Sequence, residues 1–567
     1  MSSINRKINT ADIPLRHPDD VMRLERMGSY HPMRLSFSRI LLRRMAAEQW
    51  KINIHDWAID EHGFGYAVIT ASTPNHVYSL VAYSHDLDDK DRSDRVIAEK
   101  WDTTFTLVDG IPDASEIAHM SETVSRQEAG RHHEKQLTLS RANKSVRMFN
   151  HVVERLAAGA QPDPEMINSI GYIMRTTAVY GNGKFGIGDR DRITARSEML
   201  APFQAEMLTV YLIRMFSINL VNHLARQKET SKGKAATLAP ELARHLGIGN
   251  ATGLGMAPFL VNHQALLNQW MVVREIALAR VLAQPSITKD KAAEINHYLD
   301  RAIAYTAQWR VDDEVQANRI SVLESDLQKL SSWMSNDWWD QAMPLKYLMD
   351  MAREELSLEA EEMLASVMME PFGELVDDLA EDLSVEETFS ISAKTTIAEV
   401  KAIIAAHYQW CFEIDAEDKS QSTLFWYTSE AKLEPRLGYR YDEDGADQEM
   451  PFDIPKQINA LRKDLEGQND QATIAEFMLA NPQHRFILKR IMTTSKYPYG
   501  EIKDNLVAET TRPIDMLRCK LSFFGASKFD PKSILWTRIT LYQGAPLAEE
   551  LSIDNADQWL FPSIRTA

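Results

Sequence analysis

The pattern of apolar and polar positions changes character twice along the 567 residues. A helical period over 35–49 gives way to three short runs rich in β-branched and aromatic residues: 64–71 (FGYAVITA), 77–83 (VYSLVAY) and 103–108 (TTFTLV). Such runs predict strands, and the connection 72–76, with Pro74 and Asn75, reads as a hairpin turn. From about residue 140 the period becomes helical. Helices are predicted over 142–158, 163–179, 194–228, 236–245, 257–284, 288–309 and 313–334, then in pieces over 338–382. Pro164 and Pro258 fall where a first helical turn accepts them. β character returns at 410–414, 423–427 and 536–542, with helices at 455–466, 471–480 and 482–494 and an acidic, glycine-containing loop at 437–454.

With no strand pattern between 140 and 385, the expected fold is α+β and mostly α. It is a large central helical bundle flanked by small antiparallel-sheet lobes at its N- and C-terminal sides. The corresponding domains are 1–139, 140–385 and 386–567. Two ordered matches make the last a candidate diverged duplicate of parts of 36–190. AAEQWKINI at 46–54 resembles AAHYQWCFEI at 405–414, each a helix end running into a strand, and IMRTTAVYG at 173–181 resembles IMTTSKYPYG at 491–500.

Composition narrows the class. The content is 44% hydrophobic and 25% charged, that of a globular chain, and the formal net charge of −18 argues against a nucleic-acid surface. The first twenty residues lack the apolar core of a secretory leader. The most membrane-like run, 207–224, is broken by Arg214, Asn219, Asn222 and His223, which reads as a buried helix rather than a span. A soluble cytoplasmic protein is expected. Helices apolar around much of their circumference, at 207–224 and 257–283, point to a homo-oligomer. The stretch 354–387 carries 13 acidic residues and no basic one, the composition of a solvated helical face.

The chemistry is expected to centre on two glycine-rich segments, YGNGKFGIGDRDR at 180–192 and LGIGNATGLGMAP at 246–258. Together they hold eight of the 23 glycines: Gly181, Gly183, Gly186, Gly188, Gly247, Gly249, Gly253 and Gly255. Glycine is needed where φ is positive or where backbone approaches a ligand or another element closely, and bare N–H groups near a helix start hold anions. A small anionic ligand would therefore meet Arg175, Gly181, Asn182, Gly183, Gly186 and Arg190 from the first segment. Asn250, Thr252, Gly253, Gly255 and Asn262 would meet it from the second. Lys184 would neutralise it, and His263 or Tyr180 would move a proton. The plainer alternatives are a tight helix connection for the first segment and a helix cap at Asn250 or Thr252 for the second.

Gly181-x-Gly183-x-x-Gly186 matches the dinucleotide fingerprint in form but comes after a predicted helix, not a strand, so no nucleotide cofactor is assigned. Cys411 and Cys519, far apart, offer neither a disulfide framework nor a zinc site, and no metal is expected. The resulting expectation is a metal-independent enzyme of lyase or isomerase type acting on a small anionic organic substrate. The alternative is a non-catalytic binding or assembly protein whose glycines serve helix packing.

Overall fold

Nine strands drawn from both ends of the chain hydrogen-bond into one mixed sheet. The computed structural model describes residues 13–88, 101–123, 134–181, 193, 196–229, 234–251, 263–335, 337–383, 392–413, 424–429, 432–439, 454–503, 515–531 and 537–564. The chain gathers into two compact units. One takes residues 31–253, 284–377 and 520–567; the other takes 1–30, 254–283 and 378–519.

The sheet belongs to the first unit. Its early strands are β1 (Lys51–Ile59), β2 (Gly65–Ser72), β3 (Val77–Ser84), β4 (Thr103–Asp109), β5 (Gln136–Lys144), β6 (Tyr172–Gly181) and β7 (Gly247–Ala251). The second unit contributes a separate hairpin of β8 (Leu424–Ser429) and β9 (Lys432–Tyr439), and β10 (Lys528–Pro531) and β11 (Thr537–Leu541) then return to the large sheet. The order is β1-β2-β3-β4-β5-β6-β7-β11-β10, antiparallel throughout except for the parallel β6–β7 pair.

The expected helical bundle over 140–385 is therefore not the fold. The structure is 54% helix and 14% strand, an α+β protein whose sheet is one large mixed layer rather than small flanking lobes. Two misread stretches account for this. The helix expected over 163–179 stops at Ile170, where Gly171 takes φ +77° and its N–H closes on Ile167 O at 2.8 Å, the usual left-handed helix stop. Beyond it, residues such as Ile173, Thr176 and Val179 suit a pleated, covered surface, and the segment becomes β6. The glycines at 247 and 249 stand in a strand. A Cβ on Gly247 would lie 2.2 Å from Leu541 O, and one on Gly249 would lie 2.8 Å from the Tyr172 ring. These glycines permit close packing inside the sheet.

Strands β2 and β3 read as nearly continuous apolar runs because both faces are covered. On one face Phe105 meets Phe216 of the Gln204–Gln227 helix at 5.6 Å, and the Thr138 and Thr209 hydroxyls share a hydrogen bond of 2.6 Å. On the other, Val68, Val81, Tyr83 and Val108 pack with Ile117 and Met120 from the Ala114–Thr123 helix. The Gln204–Gln227 helix is long and apolar enough to cross a membrane on length and composition, and 72% of its most apolar window is buried against the protein. Burial of each large apolar side chain contributes roughly 1.5–3 kcal/mol, so this helix is a principal source of the unit's cohesion.

Helices Lys289–Ala307, Glu314–Trp333, Pro344–Glu355 and Leu358–Met369 complete the first unit; Thr288, Asp313 and Ser357 cap three of them with side-chain oxygens. The acidic stretch expected to be a solvated face is divided: Glu354, Glu355, Glu374, Asp378 and Glu381 are exposed, whereas Glu359, Glu361, Glu362 and Glu370 are all at most 5% exposed. Glu370 receives a bidentate Arg39 at 2.6 and 2.7 Å, and Asp377 accepts from Arg34 at 2.8 Å. Asp557 joins the same network, 2.9 Å from Arg34 and 3.0 Å from Arg43. The acidic side chains thus compensate arginines spaced along the Phe37–Ala47 helix and the turn before it.

The second unit is mainly helical, built from Gln264–Leu282, Ile397–His407, Ile454–Leu465, Ile474–Ala480 and Arg485–Lys496. Capping boxes at Thr396/Glu399 and Thr473/Glu476 start two of these helices. Of the strand expected over 410–414, residues 410–413 fall in the 3₁₀ turn Gln409–Glu413 with Trp410 and Cys411 buried, and 414 lies outside the described residues. Buried Arg490 grips Glu501 at 2.6 and 2.7 Å, and the Tyr408 hydroxyl reaches Glu501 at 3.1 Å and Thr494 at 2.7 Å. The segments paired as a possible duplication differ in conformation: 173–181 lies in β6, whereas 491–500 is the end of a helix and then a 3₁₀ turn.

Candidate active site

Strand direction places several chain ends along one edge of the sheet. β4, β6 and β7 all finish there, and β3 and β5, antiparallel to β4, begin there. The described parts of both glycine-rich segments, ending at Gly181 and Ala251, therefore leave the sheet by the same edge from adjacent parallel strands.

At this edge His76, just before β3, and Asp109, the last residue of β4, meet in a short hydrogen bond between Nε2 and a carboxylate oxygen. Arg196 holds the same carboxylate with both terminal nitrogens, at 3.0 and 2.7 Å. Tyr78, opposite Asp109 in the β3–β4 register, donates its hydroxyl to Glu198 at 3.0 Å, and the Arg196 guanidinium lies 5.6 Å from its ring centre. The His76 and Tyr78 rings meet edge-on at 4.8 Å, and Trp50 stacks beyond Tyr78 at 6.5 Å. A buried aromatic wall thus backs a half-open ionic cluster. The side chains of His76, Asp109 and Arg196 are 28%, 15% and 22% exposed, while Tyr78 is fully buried.

The electrostatics stem from this arrangement. Burial by itself would push the Asp109 carboxyl up, but hydrogen bonds from Arg196 and His76 hold it below the usual carboxylate range. Burial likewise opposes the Arg196 charge, and Asp109 and Tyr78 more than offset it. The Tyr78 phenol is pushed well above its ordinary value, chiefly by burial. An ionised Asp109 favours the His76 tautomer with hydrogen on Nε2, a proton placement assigned from the hydrogen-bond partner. Nδ1, which has no protein partner among the described residues, is then left as a base on a partly exposed ring. Such a pair, an oriented imidazole beside a fixed carboxylate, is suited to general acid–base work.

The residues singled out from sequence do not gather at one point. Arg175 and Asn250 sit on neighbouring strands but on opposite faces. Arg175 pairs in register with Gly249, whereas Asn250 pairs with Thr176 and donates Nδ2 to its hydroxyl at 3.0 Å. Both are buried, Arg175 5% and Asn250 1% exposed, so the two do not face one ligand. Tyr180 and Gly181 close β6. His263 precedes the Gln264–Leu282 helix at its N-cap, within the second compact unit. Asn182, Gly183, Lys184, Gly186, Arg190, Thr252, Gly253, Gly255 and Asn262 lie outside the described residues.

His76, Tyr78, Asp109, Arg196 and Glu198 escape a linear reading because His76 and Asp109 are 33 residues apart and Asp109 and Arg196 are 87 apart. The β3–β4 register sets Tyr78 opposite Asp109, and the 3₁₀ turn Ser197–Met199 with its N-cap Arg196 brings Arg196 and Glu198 to them. Among the described residues no group of three His, Cys, Asp or Glu is arranged to hold a metal ion. No protein-family model, curated protein or solved structure matches the chain, so the functional reading rests on this geometry alone.

Proposed function

We propose that this protein is an enzyme that moves a proton on a small anionic organic molecule at the sheet edge, in chemistry of the lyase or isomerase type. His76 is the base through Nδ1, Asp109 fixes its tautomer and orientation, and Arg196 keeps Asp109 ionised. Lys184 and Arg190, in the segment after β6, are the cations assigned to the substrate's negative charge. The observation that carries the reading is the His76–Asp109–Arg196 arrangement, half open to solvent, on the edge from which both glycine-rich segments depart.

The second reading, a non-catalytic binding or assembly protein, is favoured by Gly247 and Gly249, whose absent side chains are explained by packing. Thermal unfolding with a panel of small carboxylates and phosphates separates the two. The enzyme reading expects at least one saturable stabiliser, with saturation lost in Lys184→Ala and weakened in His76→Gln. A wild-type protein that none of them stabilises, with Lys184→Ala behaving identically, leaves the assembly reading standing.

A further inference from the structure

Arg214, on the Gln204–Gln227 helix, is 2% exposed and makes no ion pair among the described residues. Its donors go to main-chain carbonyls: Nε to Leu246 at 2.8 Å, Nη1 to Pro546 at 3.1 Å, and Nη2 to Ala545 at 2.8 Å and Arg244 at 3.0 Å, with Ala243 at 3.4 Å. A guanidinium has five N–H bonds. Nη1 meets one acceptor among the described residues, so one of its hydrogens is left over. The carbonyls include the C-terminal end of the Pro240–Arg244 helix, whose dipole favours a cation. They supply no net negative charge. The nearby Glu550 is already engaged by Arg244, and burial pulls the Arg214 guanidinium down to about 10. A fully buried cation without a counter-ion is costly unless one arrives from outside.

Arg214 also lines a cavity of about 50 Å³ with Tyr211, Met215, Ile218 and Leu547, and Glu549 stands at its exposed rim. One water needs roughly 10–15 Å³ of such volume, so the space suits a group of roughly three to five heavy atoms. The walls contributed by Met215, Ile218 and Leu547 are apolar, whereas Arg214 is cationic. We propose that this cavity binds a small monovalent anion of acetate size, its charge turned to Arg214 and its apolar end to Met215 and Ile218. Glu549 opposes the anion and keeps binding weak.

The site is distinct from the sheet edge, and its test must separate the two, because an acidic ligand at either would stabilise the protein. The full-length chain is unfolded thermally at fixed ionic strength while gluconate, too large for the cavity, is replaced stepwise by acetate or by bromide. Saturable stabilisation by acetate is expected; stabilisation by bromide alone, an ion with no apolar end, overturns the carboxylate assignment. Ala548 also lines the cavity, and Ala548→Leu, which puts a larger side chain into it, should abolish saturation, whereas His76→Gln should leave it intact. Glu549→Gln should tighten binding about two- to fivefold by removing a repelling exposed charge. Gluconate-like behaviour of both anions overturns the proposal, as do identical acetate and bromide curves for wild type and Ala548→Leu.

Discussion

Asn250 donates to the Thr176 hydroxyl at 3.0 Å across the one parallel strand pair of the sheet, and Arg175, the adjacent residue, is thereby left on the opposite face. Two polar side chains that the sequence assigns to one ligand are thus divided by the sheet itself. The basic and acidic groups able to act together lie instead at the strand ends, around His76 and Asp109.

Replacing Asp109 by Asn should be the most informative change at the site. It removes the charge that Arg196 grips from both nitrogens, in surroundings 15% exposed. A cost of about 1–3 kcal/mol is expected, below the ~3–5 kcal/mol of a fully buried broken pair. His76→Gln should cost less than about 1 kcal/mol. If the cluster is catalytic, both variants should lower turnover by about 10²–10⁴-fold once a substrate is in hand. Denaturant unfolding gives the stability half of this now, and an Asp109→Asn variant as stable as wild type would contradict it.

Alanine at Gly247 or Gly249 tests whether these glycines serve packing. The new Cβ at 247 would lie 2.2 Å from a backbone oxygen, which cannot swing aside. At 249 it meets the Tyr172 ring, a side chain able to move. Gly247→Ala should therefore destabilise by more than about 2 kcal/mol and Gly249→Ala by about 1–3 kcal/mol, in the overpacking range. Adding Tyr172→Leu should recover part of the second loss but none of the first. Unchanged melting temperatures in both single variants would make ligand approach the better account of these glycines.

Acid should loosen the arginine network of the first unit. Burial alone would raise the Asp557 carboxyl, but Arg43, Arg39 and Arg34 hold it far below its ordinary 3.8. A carboxyl depressed on folding adds stability that is present above the unfolded value and is lost as pH falls toward the folded one. Stability should thus decline below about pH 4, with Asp109 adding to the slope in the same direction. Asp557→Asn should lower stability at pH 7 and flatten this decline. An unaltered pH profile in that variant would show that Asp557 is not ionised against the arginines.

In the second unit Arg490→Met should cost about 3–5 kcal/mol, because Glu501 is left 1% exposed without its bidentate partner. The double variant Arg490→Met/Glu501→Gln should recover much of that loss, since no uncompensated charge remains. A double-mutant cycle measures the coupling directly. Strict additivity of the two single changes would refute a shared buried pair.

Signals confined to a short stretch were legible in the sequence. The β-branched runs of β2, β3 and β4, the helix ahead of β1 and the long apolar helix ending at Gln227 are all plain from spacing. Spacing misled at β6, where Met174, Val179 and their neighbours fit a helical period until Gly171 is recognised as a helix stop. It misled again at β7, because glycine in a strand and glycine in a ligand loop look alike until Tyr172 and Leu541 are known to press on it. The His76–Asp109–Arg196 cluster was not legible at all. Its members acquire meaning only through the β3–β4 register and the 3₁₀ turn that carries Arg196 to it, which no single position encodes. The buried glutamates of 359–370 were hidden in a similar way, with Arg34 and Arg39 reaching Glu370 across more than 300 residues of chain.

The late arrival of β11 has a consequence for how the chain is made. Ile539 pairs with Asn250 and Thr540 with Gly249, so the outer edge of β7 has its partner only after about 290 further residues have been synthesised. At roughly 5–20 residues per second, that is an interval of about 15–60 s during which a glycine-rich strand emerges from the ribosome with its ladder incomplete. Vectorial synthesis therefore leaves the nascent protein with an open template for wrong pairing throughout that interval, and a truncation that removed β11 would make that exposure permanent.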